Sequence, residues 1–431
     1  MNVCMFTNTF RPHVGGVANS VAAFAEDLRR RGHEVLVVAP TFPGLDTAEE
    51  SPDQVVRVPA IQNFNGSDFS VRLLLPGRFS PQLDRFGPDI IHSHHPFLLG
   101  DAAMRAARYR GLPVVFTHHT LYERYTHYVP FNSPVMQRFV IELATRFANL
   151  CRIVIAPSES IAALLVQRGV TTPCRIVPTG VDTEFFSHGR RQLFREANNI
   201  APDALVLGHL GRLAPEKNLA YLTEAVGLAC HKLKDAIFMV AGEGRSCAQI
   251  RNDFAAAGLG DRLIMFGELK GDELADYYAA MDLFVFSSTS ETQGMVLAEA
   301  MAAGRPVIAL DAPGAREVVN DGSNGRLLPQ SASIDDFAAA ITAAAADRDA
   351  LNAWQEQALQ TAMRFSRQTS AKSLEDVYRE TLEPSKERPA AGLDAWDVLL
   401  ESVHAEWDLA SSKVGAVIEA VGHHAHDGER A

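Results

Sequence analysis

The chain has 431 residues, 47% of them hydrophobic and 21% charged, enough apolar content for two sizeable cores, which excludes global disorder. Its formal net charge of −12, from 40 basic and 52 acidic residues, argues against nucleic-acid binding through bulk charge and against broad attachment to an anionic membrane. Five scattered cysteines without a CxxC pair predict reduced thiols in place of a disulfide framework or a zinc site.

The start, MNVCMFTNTF, lacks a basic or apolar leader pattern. No apolar run approaches the ~18 residues needed to span a bilayer. The expected location is cytoplasmic, with any membrane contact made from one side at the inner face of the plasma membrane. Asn2–Thr7 predicts a short apolar strand, followed by a Gly15-Gly16 loop, a helix from about Val17 to Arg31 and a strand at His33–Ala39. Asp89–His92, Val114–Thr117 and Ile153–Pro157 predict further buried strands. The pattern restarts after Ile200, with strands at Leu205–Leu210, Ala236–Ala241, Leu263–Phe266, Leu283–Phe286 and Pro306–Leu310. Helices are predicted between them and at Asp335–Asp347 and Ala350–Arg364. Short buried strands alternating with helices predict an α/β protein with two doubly wound parallel sheets.

Charge is divided unevenly along these units. Residues 1–185 contain 17 Arg and no Lys against 16 acidic residues, whereas residues 186–431 carry 23 basic and 36 acidic residues. The first domain is therefore expected at 1–185 and the second at 186–365, with the boundary in the polar stretch Pro178–Ile200. A helix at 366–383 is expected to return to the first domain. The remainder, 384–431, reads as a linker and a helix-compatible extension of unassigned role, ending in a solvated histidine-containing terminus.

Tandem doubly wound sheets bind ligands in a cleft outside the C-terminal edges of their strands. The most informative loop is therefore SSTSETQGMVLAEAMAAGRPVIA, residues 287–309, between a predicted strand and helix. Gly294 allows close backbone approach, and the N–H groups near Met295 and Val296 suit a phosphate at a helix mouth. Glu299, a turn into the helix, would then reach ribose-like hydroxyls, and Glu291 whatever extends beyond the phosphate. Taken alone, two glutamates on a capped surface helix fit the same residues.

The flanking residues decide the matter. The E-x7-E spacing of Glu291 and Glu299 within SETQGMVLAEAMAAGRPVIA closely resembles the nucleotide-sugar signature of glycosyltransferase family 4, of GT-B fold. GHLGRLAPEKN (208–218) is similar to that family's GR-x4-K motif, which implies that Arg212 and Lys217 hold the donor diphosphate. VAGEGR (240–245) resembles its glycine turn beside the donor, through Gly242 and Gly244. FGELKGDEL (266–274) resembles its base-receiving loop, and FRPHVGGVANSV (10–21) its Gly-Gly loop, with Gly15 and Gly16 facing the diphosphate. The match covers roughly residues 1–382.

Nine of the 15 histidines lie in residues 1–188, many in IIHSHHPFLLG (90–100) and VVFTHHTLYERYTHYVP (114–130). No carboxylate–His pattern of ligand spacing accompanies them, and the resemblance implies neither a bound metal nor a cofactor. Matching the family's T-x-H-T element places His119 at the donor sugar and His118 in packing. His92, His94 and His95 are expected to be structural or acceptor-side. The implied enzyme retains anomeric configuration, with His119, Arg212, Lys217 and Glu291 as its catalytic residues.

For the acceptor, THHTLYERYTHYVP closely resembles a run in diacylglycerol glucosyltransferases, which places Tyr122, Tyr125 and His127 on the acceptor side. Gln293, where many relatives carry Phe, is similar to the same subgroup. The resemblance implies a hexose donor, UDP-glucose by default with GDP-mannose as the alternative, and diacylglycerol as acceptor. Residues 69–86 and 132–152 combine apolar side chains with arginines suited to anionic head groups, although 132–152 could equally pack on the first sheet. A soluble transferase acting on a polyol, sugar phosphate or polysaccharide, and a non-catalytic nucleotide-sugar-binding protein, remain open.

Overall fold

A computed structural model describes residues 1–13, 15–42, 51, 53–61, 71–72, 80–123 and 134–383, with backbone alone for 60–61, 71–72 and 134–136. Tyr125, His127, half of the 69–86 stretch and the 384–431 extension lie outside the described residues.

The first sheet consists of β1 (Asn2–Phe6), β2 (Glu34–Pro40), β3 (Val55–Val58), β6 (Ile90–Ser93), β7 (Val114–Thr117), β8 (Ile153–Ala156) and β9 (Cys174–Ile176). A short antiparallel pair, β4 (Ala60–Ile61) and β5 (Val71–Arg72), stands apart from it. The order is β3-β2-β1-β6-β7-β8-β9, all parallel, and chain order reverses between β1 and β6. Its helices are α1 (Gly16–Arg30), α2 (Ser80–Phe86), α3 (Leu99–Arg110), α4 (Pro134–Leu150) and α5 (Glu159–Gln167). Strands β6, β7 and β8 are buried at every residue, which is why their sequences run apolar with no alternation.

The second sheet holds β10 (Leu205–Leu210), β11 (Ala236–Ala241), β12 (Leu263–Phe266), β13 (Leu283–Phe286), β14 (Val307–Leu310) and β15 (Gly325–Leu328). It is parallel in the order β12-β11-β10-β13-β14-β15, and chain order reverses between β10 and β13. Helices α6 (Thr183–Ser187) and α7 (Arg191–Ala197) precede it. Within it and after it come α8 (Leu219–Lys232), α9 (Cys247–Ala256), α10 (Asp272–Ala280), α11 (Met295–Ala302), α12 (Ile334–Ala346), α13 (Arg348–Arg364) and α14 (Arg367–Leu382).

The polar stretch 178–200 is more ordered than its composition suggests. Its arginines are paired: Arg190 with Asp276, and Arg191 and Arg195 with Asp282. Phe186 and Phe194 of α6 and α7 enter the second core. The chain passes from the first core at Val177 to the second at Val181. It crosses back beside that point: Val181 N–H donates to Phe365 O at 2.8 Å, and Arg367 N–H to Val181 O at 3.0 Å. Helix α14 then lies on α1, with Leu374, Val377 and Tyr378 in the first core and Arg367 on Asp27.

Of the two packings open to 132–152, the C-terminal half of α4 takes the one against the sheet. Leu143, Ala144, Phe147 and Ala148 are buried, and Phe147 meets Phe116 of β7 edge-on at 5.0 Å. No helix among the described residues is long and apolar enough to cross a membrane.

Candidate active site

Both sheets present their C-terminal edges with chemistry-bearing residues at the reversal of strand order, the position where open α/β sheets bind ligands. On the second sheet, the turn after β10 carries Arg212 and Lys217, the loop after β11 carries Gly242 and Gly244, and the loop after β13 carries Glu291. Serine hydroxyls join the first and last of these. Ser287 Oγ donates to Asn218 O at 2.9 Å, and Ser290 Oγ donates to Glu216 O at 3.1 Å. This lacing brings the Lys217 ammonium onto Glu291 Oε1, which also accepts from Ser288 Oγ at 2.8 Å. Burial pushes the Glu291 carboxyl up, but the charge and hydrogen bond of Lys217, with Ser288, outweigh it and hold the group below its ordinary value. Arg212 pairs with Glu216 at 2.8 Å on the same turn and remains 43% exposed.

The glycine turn serves the same assembly. Gly242 (φ +126°) and Gly244 (φ +150°) hold backbone conformations that side chains rarely adopt. A Cβ on either would strike the backbone of the Arg212 loop, at Gly211 O (2.0 Å) and Leu213 O (2.1 Å). Leu213 N–H donates to Glu243 O at 2.8 Å, so the turn braces the loop that carries Arg212. Gly294 differs in its reason from the expected close approach of a ligand: its Cβ would lie 2.6 Å from Gly314 O, so the protein's own backbone requires it.

Helix α11 begins with Met295 and Val296, both partly exposed, whose N–H groups have no partner within the helix. One turn in, Glu299 Oε2 accepts from Tyr278 Oη at 2.7 Å. Burial raises the Glu299 carboxyl, and the tyrosine only partly offsets it. Tyr278 sits on α10, too far along the chain for local sequence spacing to reveal it.

The first sheet contributes neutral histidines. His92 of β6 lies between Tyr378 Oη and Thr117 Oγ1, each at 2.7 Å from a ring nitrogen, and burial lowers its pKa to about 3. His94 and His95 follow β6, and Asn8 N–H donates to His95 Nδ1 at 3.1 Å. His118 is buried against Phe116 and Tyr122, with its pKa lowered to about 4 chiefly by burial. His119 is only partly buried, and its Nε2 lies 2.9 Å from His94 Nδ1. Tyr122 is buried, its hydroxyl without a partner among the described residues. Gly15 and Gly16 begin α1, where a Cβ on Gly16 would meet no protein atom within 4 Å. Among the described residues no group of His, Cys, Asp and Glu is arranged to hold a metal ion.

The two edges are joined through residues that the sequence reading left without a site role. Thr292 Oγ1 donates to His119 O at 2.9 Å, and Ser158 Oγ donates to Thr292 O at 2.7 Å. Gln293 grips the crossover at both ends of one residue. Its Oε1 accepts from Thr179 N–H and its Nε2 donates to Thr179 O, both at 2.7 Å. Ser20 Oγ meets Thr179 Oγ1 at 2.8 Å, extending the chain of contacts to α1. These contacts bring His119, Thr292, Glu291 and Lys217 into one cluster. A cavity of about 410 Å³ lined by Asp182, His188, Arg190 and Asp276 shares no residue with it.

Residues 14–185 match the model of Glycosyltransferase Family 4, and residues 190–361 match that of Glycosyl transferases group 1. An alpha-monoglucosyldiacylglycerol synthase of Streptococcus pneumoniae is 30% identical over 76% of this chain and 75% of its own. A GDP-mannose-dependent alpha-mannosyltransferase of Mycobacterium tuberculosis is 34% identical over 76% of this chain and 84% of its own. In fold, the chain is similar to Anabaena HepE, solved in complex with UDP, with a TM-score of 0.71 at 20% identity over 88% of this chain and all of that one. With both sheets, their order and the family's motifs in place, the chain is a glycosyltransferase of family 4 with the GT-B fold.

Proposed function

We propose that the protein is a retaining, metal-independent hexosyltransferase that moves glucose from UDP-glucose to the free hydroxyl of 1,2-diacylglycerol at a membrane surface. The observation that carries the transfer chemistry is the Lys217–Glu291 pair, set beside Arg212 and against the His119 loop. In the reaction the bond from the anomeric carbon to the phosphate oxygen breaks, and negative charge collects on the departing diphosphate. Lys217 and Arg212 neutralise it, and the first N–H groups of α11 add to the field. An ammonium has three donors, so Lys217 keeps Glu291 while reaching a phosphate oxygen. Glu291, held ionised, accepts from sugar hydroxyls through Oε2, which meets no donor among the described residues. Glu299 Oε1 is similarly placed for the ribose. The acceptor hydroxyl forms the new bond on the face the leaving group vacates, and its proton passes to the phosphate oxygen.

Retention is supported by the relatives' names: GDP-mannose carries an α linkage, and the enzyme dependent on it is an alpha-mannosyltransferase. The lipid acceptor is supported by the 117–130 run and by the synthase named for its glucosyldiacylglycerol product. The mannosyltransferase relative, at the higher identity, favours GDP-mannose as the second reading of the donor. The test is a screen of UDP- and GDP-hexoses with diacylglycerol vesicles, read by mass spectrometry and repeated with EDTA. The expected product is α-glucosyldiacylglycerol, formed equally with the chelator. Transfer only to soluble acceptors, or only from GDP-mannose, overturns that part of the proposal.

A further inference from the structure

In the histidine cluster of the first sheet, two buried ring nitrogens lack a partner among the described residues, His118 Nδ1 and His94 Nε2, and the second belongs to the ring that meets His119. His94 is fully buried, its Nδ1 faces His119 Nε2 at 2.9 Å, and its Nε2 has no partner among the described residues. The other members leave it none. His95 is turned to the Asn8 amide, and His92 is held between Tyr378 and Thr117. The His92 and His94 rings lie 4.1 Å apart with only 35° between their planes, so His92 offers a ring face and no in-plane acceptor.

Two proton placements are possible for the His94–His119 contact, because desolvation, with the neighbouring histidines, holds both rings well below the ordinary imidazole pKa and therefore neutral. If His119 donates from Nε2, His94 carries its proton on Nε2, as a buried N–H with no acceptor. If His94 donates from Nδ1, its buried Nε2 is a bare lone pair, and no donor is stranded. Orphaned buried N–H groups are the rarer fault in folded proteins. We infer that His94 is a positioning residue that fixes His119 in the tautomer protonated on Nδ1. His119 Nδ1 has no partner among the described residues, so its proton is offered to whatever occupies the site. His119 then gives a hydrogen bond, where the other tautomer would take one. Tyr378 of α14, through His92, buttresses the ring that sets this choice.

The tautomer stands independently of any substrate; its catalytic consequence rests on the transferase reading above. The direct test is the nitrogen spectrum of ¹⁵N-histidine in the full chain, with His119 assigned from His119→Gln. The expected signature is a protonated Nδ1 and a bare Nε2, in the absence of any donor. A His119 protonated on Nε2, or averaging between forms, overturns the inference. In His94→Leu the signature is lost, and in His94→Asn, whose amide N–H replaces the Nδ1 donor, it is retained. In a transfer assay His94→Leu lowers kcat about tenfold with the donor KM within about threefold, and His94→Asn recovers most of the loss. Equal losses in the two variants with the His119 signature unmoved mark His94 as packing alone. If no sugar transfer is found for the wild type, the spectrum still decides the tautomer.

Discussion

The two sheet edges at the candidate site use opposite chemistries. The edge of the first sheet is lined with histidines that burial keeps uncharged, and several are wholly enclosed. The edge of the second sheet carries charged groups, four of them in two ion pairs: Lys217 with Glu291 and Arg212 with Glu216. A neutral imidazole can be buried deeply for the loss of its water contacts alone, whereas a charge at the same depth requires a partner. The first edge can therefore be rigid and finely oriented. The second holds its charges in pairs that can be shared with an incoming anion. On the proposed reading, the overall charge of −12 does not oppose an anionic donor, which would meet a few placed cations and not the bulk charge.

The comparison breaks most sharply at Lys217. Lys217→Ala removes the ammonium that the proposed mechanism sets at the leaving group and leaves Glu291 without its cation. The expected loss in kcat is about a hundredfold, the usual scale for deleting one preorganised charge-stabilising donor. Single-turnover transfer measures it, and a variant within about threefold of wild type removes Lys217 from the mechanism.

Gln293 joins the two edges, and Gln293→Ala is next in size. It strips both hydrogen bonds from the Thr179 backbone at the crossover. At about 1 kcal/mol net for each bond, opening of this segment should become easier by about 2 kcal/mol. The readout is amide hydrogen exchange at Thr179, about thirtyfold faster in the variant. Gln293→Glu sharpens the result, because a carboxylate accepts from the Thr179 N–H but cannot donate to its carbonyl. Unchanged exchange in both variants would show that the Gln293 bonds do not hold the crossover segment.

Gln293 also marks where the sequence stops being legible. Strands such as LFVF and AIFMVA announce themselves because they are buried on both faces, and their ends fall where the apolar runs end. The GR-x4-K and E-x7-E spacings are local, so their residues can be picked out before any tertiary structure is known. Thr179 lies 114 residues from Gln293, and Tyr278 lies 21 from Glu299, so those pairs exist only once the sheets are assembled. The edge strand β9 is short and largely exposed, too weak a pattern to stand out. Helices α6 and α7 were hidden for a different reason: arginines that resemble a polar linker are neutralised by Asp276 and Asp282 from elsewhere in the second domain.

Glu299 tests the charged edge without touching an ion pair. Its carboxyl is raised by burial and anchored by Tyr278, so Glu299→Ala removes the group that the proposed mechanism assigns to donor hydroxyls and no cation. A loss of about tenfold in kcat/KM is expected, equal to about 1.4 kcal/mol, and it should appear mainly in the donor KM. Tyr278→Phe, which frees the carboxylate but keeps it, should fall between the variant and the wild type. A Glu299→Ala enzyme with unchanged donor KM would place the nucleotide elsewhere on the edge.

The smallest effect lies away from both edges, where α14 closes over α1. Glu375 of α14 accepts from Arg31 Nε at 2.7 Å and also pairs with Arg379, while His33 Nε2 stands 3.6 Å away. Burial pushes its carboxyl up, but the two guanidinium groups outweigh that and bring the pKa down to about 2. A carboxylate depressed in the folded state stabilises that state at pH values above its ordinary pKa of 4.5, and the contribution disappears as pH falls from there towards 2. Both arginines are partly exposed and screened, so the expected contribution at neutral pH is about 1 kcal/mol or less. Denaturant unfolding of wild type and Glu375→Gln should differ by that amount near pH 7 and converge as the solution is acidified below the ordinary carboxylate range. The converging curves would separate this charged contact from the neutral histidines a few residues away: Tyr378, one turn further along the same helix, supports His92 through a hydroxyl. A Glu375→Gln difference that stays constant down to low pH would show that the glutamate holds α14 by shape and hydrogen bonding, as its neighbour does, and not by charge.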